Sequence, residues 1–102
     1  MPLKEFQIWI DGFTFIRARR LNKGGDILSF AVVLMALDGD VWVDIARFDT
    51  SHGEAHRDVL GKKQGLLRKI WYHNLGSDVV FEFTVETFRN VHASIREQFF
   101  GS

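Results

Sequence analysis

The sequence predicts an α+β domain, in which an antiparallel β-sheet of about five or six strands forms a meander and one C-terminal α-helix packs on one face. Two observations lead to this fold class. Apolar and polar residues alternate in the segments 5–10, 13–21 and 41–48, as they do in strands that bury one face. Near the C-terminus apolar residues recur instead every three or four positions, as they do on one side of a helix.

Short turn motifs divide the first half of the chain. Glycine-containing turns follow one another at intervals of about a dozen residues, which is typical of antiparallel hairpins. The predicted turns are residues 11–12, 22–25 and 38–40. The segments that these turns separate predict four strands, over residues 5–10, 13–21, 27–37 and 41–48. The third segment is almost wholly apolar, as expected of a central strand covered on both faces or of a long bent strand.

The second half of the sheet is predicted from shorter segments. A short strand is expected near residues 56–60 and another over residues 66–72. A further strand is expected over residues 78–83, where Val79, Phe81 and Phe83 would face inward.

A helix of about four turns is predicted from residue 85 onward. Its apolar side is formed by residues at helical spacing: Val85, Phe88, Val91 or His92, Ile95 and Phe99. Thr84 is the expected N-cap, Glu86 lies in the first turn where the helix dipole favours negative charge, and Gly101 ends the helix. One helix covers only one face of the sheet. The other face must stay partly exposed or find a partner, and the three tryptophans, Trp9, Trp42 and Trp71, are candidates for covering it.

Length and composition restrict the class of protein. With 102 residues, of which 46% are hydrophobic, the chain predicts a single folded domain over residues 1–102. It has no cysteine, which excludes disulfide bonds and thiolate metal sites. The longest apolar stretch, residues 30–37, is far shorter than the roughly 20 residues of a membrane helix. The N-terminus lacks the pattern of a signal peptide, so we expect a cytoplasmic protein without a membrane partner.

The charges are unevenly distributed, although the formal net charge is zero. Residues 38–54 contain five acidic residues and one arginine, a net charge of minus four. Residues 55–69 contain five basic residues and one aspartate, a net charge of plus four. Two interpretations stay open: a basic surface patch, or solvated ends of hairpins.

Ionisable residues concentrate in the segment 47–58, which begins at the end of the fourth predicted strand. Its candidate catalytic residues are Arg47, Asp49, His52, His56 and Arg57. Two histidines can act as general base and general acid near neutral pH, and arginine can stabilise charge on a phosphoryl group. The basic residues that follow could hold an RNA backbone, with neighbouring aromatic rings stacking on bases; they are Lys62, Lys63, Arg68 and Lys69, with Trp71 and Tyr72.

The same segment allows two other interpretations. A metal ion could be held by its imidazole and carboxylate groups, from Asp49, His52, His56 and Asp58, although their spacing is not diagnostic. Alternatively these side chains only fix a hairpin, with aspartate bracing the loop through backbone amides and arginine pairing with aspartate. The sequence therefore leaves open whether the chain is an enzyme and whether a metal binds. No cofactor is predicted.

A family resemblance rests on the motif Arg-aromatic-Asp-x-x-His-Gly-x-x-His-x-Asp over residues 47–58. The motif resembles that of a small uncharacterised prokaryotic domain family whose members end in a helix. More distantly, Arg47, Asp49 and the paired histidines are similar to TumE-type toxins of toxin–antitoxin pairs, which have Asn where this chain has Thr50. The resemblance to the toxins implies Arg47, Asp49, His52 and His56 as the residues to test, and a protein antitoxin as partner.

The leading hypothesis from the sequence is a toxin-like domain that cleaves RNA. In this hypothesis His52 and His56 form an acid–base pair, while Arg47 and Arg57 bind phosphate. The alternative is a non-catalytic interaction module that self-associates through an exposed aromatic sheet face, because aromatic residues make up 14% of the chain and only one helix covers the sheet.

Overall fold

A computed structural model describes residues 3–50, 54–72 and 77–101, with only the backbone described at residue 77. The elements follow in the order β1 (Leu3–Asp11), β2 (Thr14–Lys23), β3 (Asp26–Asp38), β4 (Val41–Asp49), β5 (His56–Gly61), β6 (Gly65–Trp71) and α1 (Ser77–Phe100). All neighbouring strands pair antiparallel and lie in the sheet in their chain order. The predicted α+β fold, a meander with one C-terminal helix, is therefore confirmed.

The hairpin turns lie where the Gly-containing motifs predicted them. Gly24, Gly25 and Gly39 adopt positive φ angles of 59°, 90° and 66°, a region that glycine enters without steric cost. A further turn, between β5 and β6, places Gly65 at φ 72°. These turns set the register of each hairpin, because a tight turn leaves the flanking strands only one pairing.

The predicted strand over residues 78–83 is wrong, since these residues form the first turns of α1. Val79 and Phe83, expected to face inward, are 57% and 52% exposed, whereas Val80 and Phe81 are buried. Six residues fit both a strand and a helix pattern, and packing on the sheet selects the helix. Thr84 is consequently not the N-cap; it lies inside α1, where its hydroxyl donates to the Val80 carbonyl oxygen at 2.6 Å.

The end of α1 agrees with the sequence. The helix ends at Phe100, and the backbone N–H of Gly101 donates to the Glu97 carbonyl oxygen at 3.0 Å. Val91 has non-helical backbone angles, so α1 is kinked at this residue. In the described part of the chain no helix is long and apolar enough to cross a membrane.

The core lies between α1 and one face of the sheet. Phe48 of β4 and Phe88 of α1 are fully buried, with ring centroids 5.3 Å apart. Phe30 of β3 packs in the same way on Phe81, with centroids 5.6 Å apart. The smaller residues that complete this face of the sheet include Ile16, Ala18, Val32, Leu34 and Ala46.

The opposite face of the sheet, which we call the open face, carries the side chains that alternate with the core residues. One row crosses all six strands at Gln7, Arg17, Val33, Arg47, Asp58 and Lys69. The next row crosses them at Glu5, Arg19, Ala31, Asp49, His56 and Trp71. At one end of this face Trp9, Phe15 and Trp42 pack together, with centroid separations of 4.6 to 5.6 Å. The three tryptophans therefore lie on the face that α1 leaves uncovered, as expected.

Candidate functional site

A cluster of charged side chains lies on the open face where β4, β5 and β6 meet. Strand register brings it together, because Arg47 pairs with Asp58 and Asp49 pairs with His56 across β4 and β5. Asp58 in turn pairs with Lys69 across β5 and β6. Side chains directly opposite each other on one face of a sheet are in contact range. We call these five residues, Arg47, Asp49, His56, Asp58 and Lys69, the β4–β6 cluster.

Asp58 is the buried anion of the β4–β6 cluster, with 3% of its surface exposed. Arg47 Nε donates to Asp58 Oδ2 at 2.7 Å, a distance typical of a strong charge-assisted hydrogen bond. This hydrogen bond raises the pKa of Arg47 above its ordinary value, so the guanidinium stays charged. A second, weaker contact joins Arg47 to the exposed carboxylate of Asp44 at 3.5 Å. The buried carboxylate is thus held mainly from its Oδ2 side.

His56 is 1% exposed and faces an acceptor at each ring nitrogen. Its Nδ1 lies 3.2 Å from the backbone carbonyl oxygen of Glu54, and because a carbonyl oxygen only accepts, Nδ1 carries a hydrogen. Its Nε2 lies 3.0 Å from Asp49 Oδ1 and 3.7 Å from Asp58 Oδ1. Nε2 therefore faces a position where a proton or a metal cation would bridge it to the carboxylates.

Lys69 closes the β4–β6 cluster from the edge strand β6. Its ammonium nitrogen lies 3.4 Å from His56 Nε2 and 3.5 Å from Asp58 Oδ1. It also lies 5.6 Å from the ring centroid of Trp71, whose ring is 4.7 Å from that of His56. Arg47 and Lys69 together offset the charges of the two aspartates, which is how a protein tolerates carboxylates at low exposure.

Of the predicted catalytic residues, the described structure brings Arg47, Asp49 and His56 together. Arg57 lies on the opposite face of the sheet, with its guanidinium 5.7 Å from the ring centroid of Phe48, because neighbouring residues in a strand point to opposite faces. His52 lies outside the described residues. Tyr72, expected to stack on a base, instead stacks on Phe48 with centroids 5.6 Å apart.

The sequence did not identify Lys69 as a partner of His56, nor Arg17 and Arg19 as neighbours of the site. Lys69 was expected only as part of a basic run, and no role was assigned to the two arginines. The register of the strands sets the positions of all three residues. On β3, Val33 and Ala31 lie between the arginines of β2 and the β4–β6 cluster. Lys69 pairs with Asp58 across β5 and β6. The alternation of Arg17 and Arg19 was a signal of a shared face, but no sequence pattern showed which strands would flank it.

A shallow cleft of about 470 Å³ adjoins the β4–β6 cluster at one end of the sheet. Its lining includes Arg19, Arg20, Asp49 and Thr50. Because Asp49 also contacts His56, the cleft reaches the β4–β6 cluster. Within the described residues, Asp49, His56 and Asp58 form a group whose ligand atoms all lie within 4.8 Å of one another. The arrangement can therefore move a proton at Nε2, bind an anion at its cations, or hold a cation among its acceptors.

Comparison with known proteins identifies a family but no activity. The family described as a domain of unknown function (DUF7718) matches residues 1–100. The chain belongs to this family. No curated protein and no solved structure matches the chain. The expectation of an uncharacterised domain family is thus confirmed, while the proposed motif and the similarity to TumE-type toxins stay predictions.

Proposed function

We propose that the domain cleaves single-stranded RNA by acid–base chemistry at His56, with the open face as its RNA-binding surface. The observation that carries this proposal is the orientation of His56, whose Nδ1 faces the Glu54 carbonyl oxygen at 3.2 Å and whose Nε2 faces Asp49 at 3.0 Å, beside the cationic side chains of Arg47 and Lys69. A metal-independent ribonuclease needs a histidine, a group that orients it and cations for the phosphate. An RNA-cleaving domain of this kind would be toxin-like, with an antitoxin-like protein as partner.

In the proposed reaction the RNA 2′-hydroxyl attacks the adjacent phosphorus and loses its proton to His56 Nε2. The bond from phosphorus to the 5′-oxygen of the next nucleotide breaks, which leaves a 2′,3′-cyclic phosphate. A second acid gives a proton to the departing 5′-oxygen, and His52 is the sequence-based candidate for that acid. Arg47 and Lys69 stabilise the negative charge that develops on the phosphoryl oxygens.

Access to His56 depends on the more exposed members of the β4–β6 cluster. His56 is only 1% exposed, whereas the side chain of Arg47 is 37% exposed and that of Lys69 is 25% exposed. Phosphate oxygens accept hydrogen bonds from arginine and lysine as carboxylates do, so RNA can take over contacts that Asp58 makes. Asp49 at 3.0 Å and Lys69 at 3.4 Å both contact His56 Nε2. The proposal therefore requires both side chains to turn away from this nitrogen when RNA binds.

The remainder of the open face supports RNA binding. Arg17 and Arg19 are exposed, and Trp9 and Trp71 are 56% and 39% exposed. Proteins that bind single-stranded nucleic acid combine cations along the backbone with aromatic rings on which bases stack. Both kinds of group occur on this one face, on both sides of His56.

The test is cleavage of an end-labelled single-stranded RNA by the purified chain in the presence of EDTA. We expect His56→Ala and His52→Ala each to lower the rate by about 10²-fold or more, because each removes a proton carrier. His92→Ala is the matched control, since His92 lies on α1 and should leave the rate unchanged. Thermal unfolding verifies that each variant is folded. A folded double variant, His52→Ala/His56→Ala, that cleaves RNA at the parental rate would refute the proposal.

A second candidate function, a self-associating interaction module, is favoured by a different observation. Trp9 is 56% exposed although its ring packs on Phe15 and Trp42, so the open face presents an apolar edge to solvent. Exposed aromatic patches of this kind mark interaction surfaces. We expect light scattering to detect a dimer at high concentration, and Trp9→Ser to abolish it. Phe83→Ser is the control, because Phe83 is comparably exposed but lies on α1. A parent protein that is monomeric at all concentrations would exclude the self-associating module.

A further inference from the structure

We propose that Asp49, His56 and Asp58 form a binding site for one divalent transition-metal cation, and that the Lys69 ammonium occupies the mouth of this site in the ion-free protein. The inference goes beyond RNA cleavage and does not depend on it. Four observations support it: the spacing of the ligand atoms, the state of Asp58, the orientation of His56 and the position of Lys69.

The ligand atoms are spaced as around a metal ion. Metal–ligand distances of about 2.0 to 2.2 Å place neighbouring ligand atoms about 3.0 to 3.5 Å apart in tetrahedral or octahedral geometry. His56 Nε2 lies 3.0 Å from Asp49 Oδ1 and 3.7 Å from Asp58 Oδ1. All three ligand atoms lie within 4.8 Å of one another. Side-chain movements of about 1 Å, on the order of thermal motion, would bring them to coordination distances.

The environment of Asp58 provides an independent observation that points to a cation between Asp58 and His56. Asp58 is 3% exposed, and its Oδ1 has no hydrogen-bond partner among the described residues. The other carboxylate oxygen, Oδ2, is held by Arg47 Nε at 2.7 Å, so Oδ1 is aimed toward His56 Nε2. Buried carboxylate oxygens are normally satisfied, and a cation between Asp58 and His56 would satisfy this one. Arg47 is thus a positioning residue for the proposed site.

The orientation of His56 is the one found in metal-binding histidines. Such histidines donate the hydrogen of one ring nitrogen to a carbonyl or carboxylate group, which leaves the other nitrogen to bind the metal. His56 Nδ1 faces the Glu54 carbonyl oxygen at 3.2 Å, while Nε2 faces the two aspartates. The backbone before β5 therefore fixes the tautomer that a metal needs.

Lys69 shows that the site attracts a cation. Its ammonium nitrogen lies 3.4 Å from His56 Nε2 and 3.5 Å from Asp58 Oδ1, close to two of the three proposed ligand atoms. A metal ion and the ammonium group cannot both occupy this space, because their charges repel at such distances. Lysine on an edge strand can swing toward solvent, so we infer that the metal displaces Lys69.

The donor set selects the class of ion. One imidazole nitrogen with two carboxylate oxygens suits Zn²⁺, Mn²⁺ or Fe²⁺. Mg²⁺ and Ca²⁺ prefer oxygen ligands alone, and we expect them to bind weakly.

The experiment uses the full chain without an affinity tag. Isothermal titration calorimetry with ZnCl₂, MnCl₂ and MgCl₂ measures stoichiometry and affinity, and Mn²⁺ broadening of NMR signals locates the ion. We expect one Zn²⁺ per chain and broadening centred on His56. Broadening centred on another of the four histidines would overturn the proposal.

Matched variants separate this site from adventitious binding. Asp49→Asn and Asp58→Asn should each weaken Zn²⁺ binding by about tenfold or more. Asp44→Asn should leave it unchanged, because Asp44 contacts Arg47 but lies outside the ligand set. Equal affinity in Asp58→Asn and Asp44→Asn would overturn the proposal.

Lys69→Met provides a test that does not depend on the buried aspartates. Because this variant removes the competing ammonium, it should bind Zn²⁺ about tenfold more tightly than the parent. A purely structural role for the β4–β6 cluster predicts no gain in Zn²⁺ affinity. Unchanged or absent Zn²⁺ binding in Lys69→Met therefore contradicts the inference. This test remains valid if the aspartate variants unfold. The same variant should impair RNA cleavage under the proposed function. Failure of RNA cleavage would leave the cation result standing.

Discussion

The hydrogen bond from Arg47 to Asp58 allows a quantitative test of how the β4–β6 cluster is held together. The perturbation is Arg47→Met, which keeps a side chain of similar length and removes the guanidinium. It leaves Asp58, 3% exposed, without the partner at 2.7 Å on Oδ2. Lys69, 3.5 Å from Oδ1, stays as the second cation.

The expected cost follows from burial and geometry. Removing one member of a fully buried ion pair costs about 3 to 5 kcal/mol. The side chain of Arg47 is 37% exposed, so water can partly replace it and the cost must be lower. A hydrogen bond to a charged group contributes about 1.5 to 3 kcal/mol, and we expect Arg47→Met to lower the free energy of unfolding by about 2 kcal/mol. For a chain of this size that corresponds to a fall in Tm of roughly 10 °C.

Urea unfolding followed by circular dichroism measures this change. Asp44→Asn is the control, because it removes only the exposed 3.5 Å contact with the same arginine and should cost less than about 1 kcal/mol. Repeating Arg47→Met in an Asp58→Asn background completes a double-mutant cycle, in which the cost of losing Arg47 should fall by about 1 kcal/mol or more. If Arg47→Met costs no more than Asp44→Asn, or costs the same in both backgrounds, the buried pair does not stabilise the fold as argued.

Two further predictions concern the core and the single tyrosine. Phe88→Ala should destabilise the protein by about 3 to 5 kcal/mol in urea unfolding, because Phe88 is 0% exposed. Phe83→Ala is the control, because Phe83 is 52% exposed on the same helix and its loss should cost clearly less. Equal costs for the two variants would contradict the assigned buried face of the helix. Burial raises the pKa of Tyr72, so phenolate absorbance should appear above the ordinary value of about 10. Because the pKa of Tyr72 is raised in the folded protein, the stability that its neutral phenol contributes is complete below the pKa of the unfolded chain and is lost as pH rises through the folded pKa. Titration of Tyr72 at the pKa of the unfolded chain would contradict its burial.

Much of the sheet could be predicted from the sequence because its signals are local. The turns at Gly24, Gly25 and Gly39 need positive φ angles that glycine adopts without strain. The flanking segments 13–21 and 41–48 alternate with the period of a strand. The first turns of α1 could not be predicted in this way. Over residues 78–83 an alternating pattern and a helical one coincide, and only the burial of Val80 and Phe81 against the sheet distinguishes them.

The fold class and the segment that contains the candidate site could be predicted from the order of the residues, because turn chemistry and hydrophobic periodicity are properties of neighbouring residues. Which ionisable groups meet depends instead on how the strands pair. Antiparallel register sets Asp58 opposite both Arg47 and Lys69, although Lys69 lies on another strand. The alternation of side chains sends Arg57 to the core side of the sheet and Asp58 to the open face, although they are adjacent in the chain. The β4–β6 cluster consists of side chains from three strands, and these side chains come into contact only when the strands have paired.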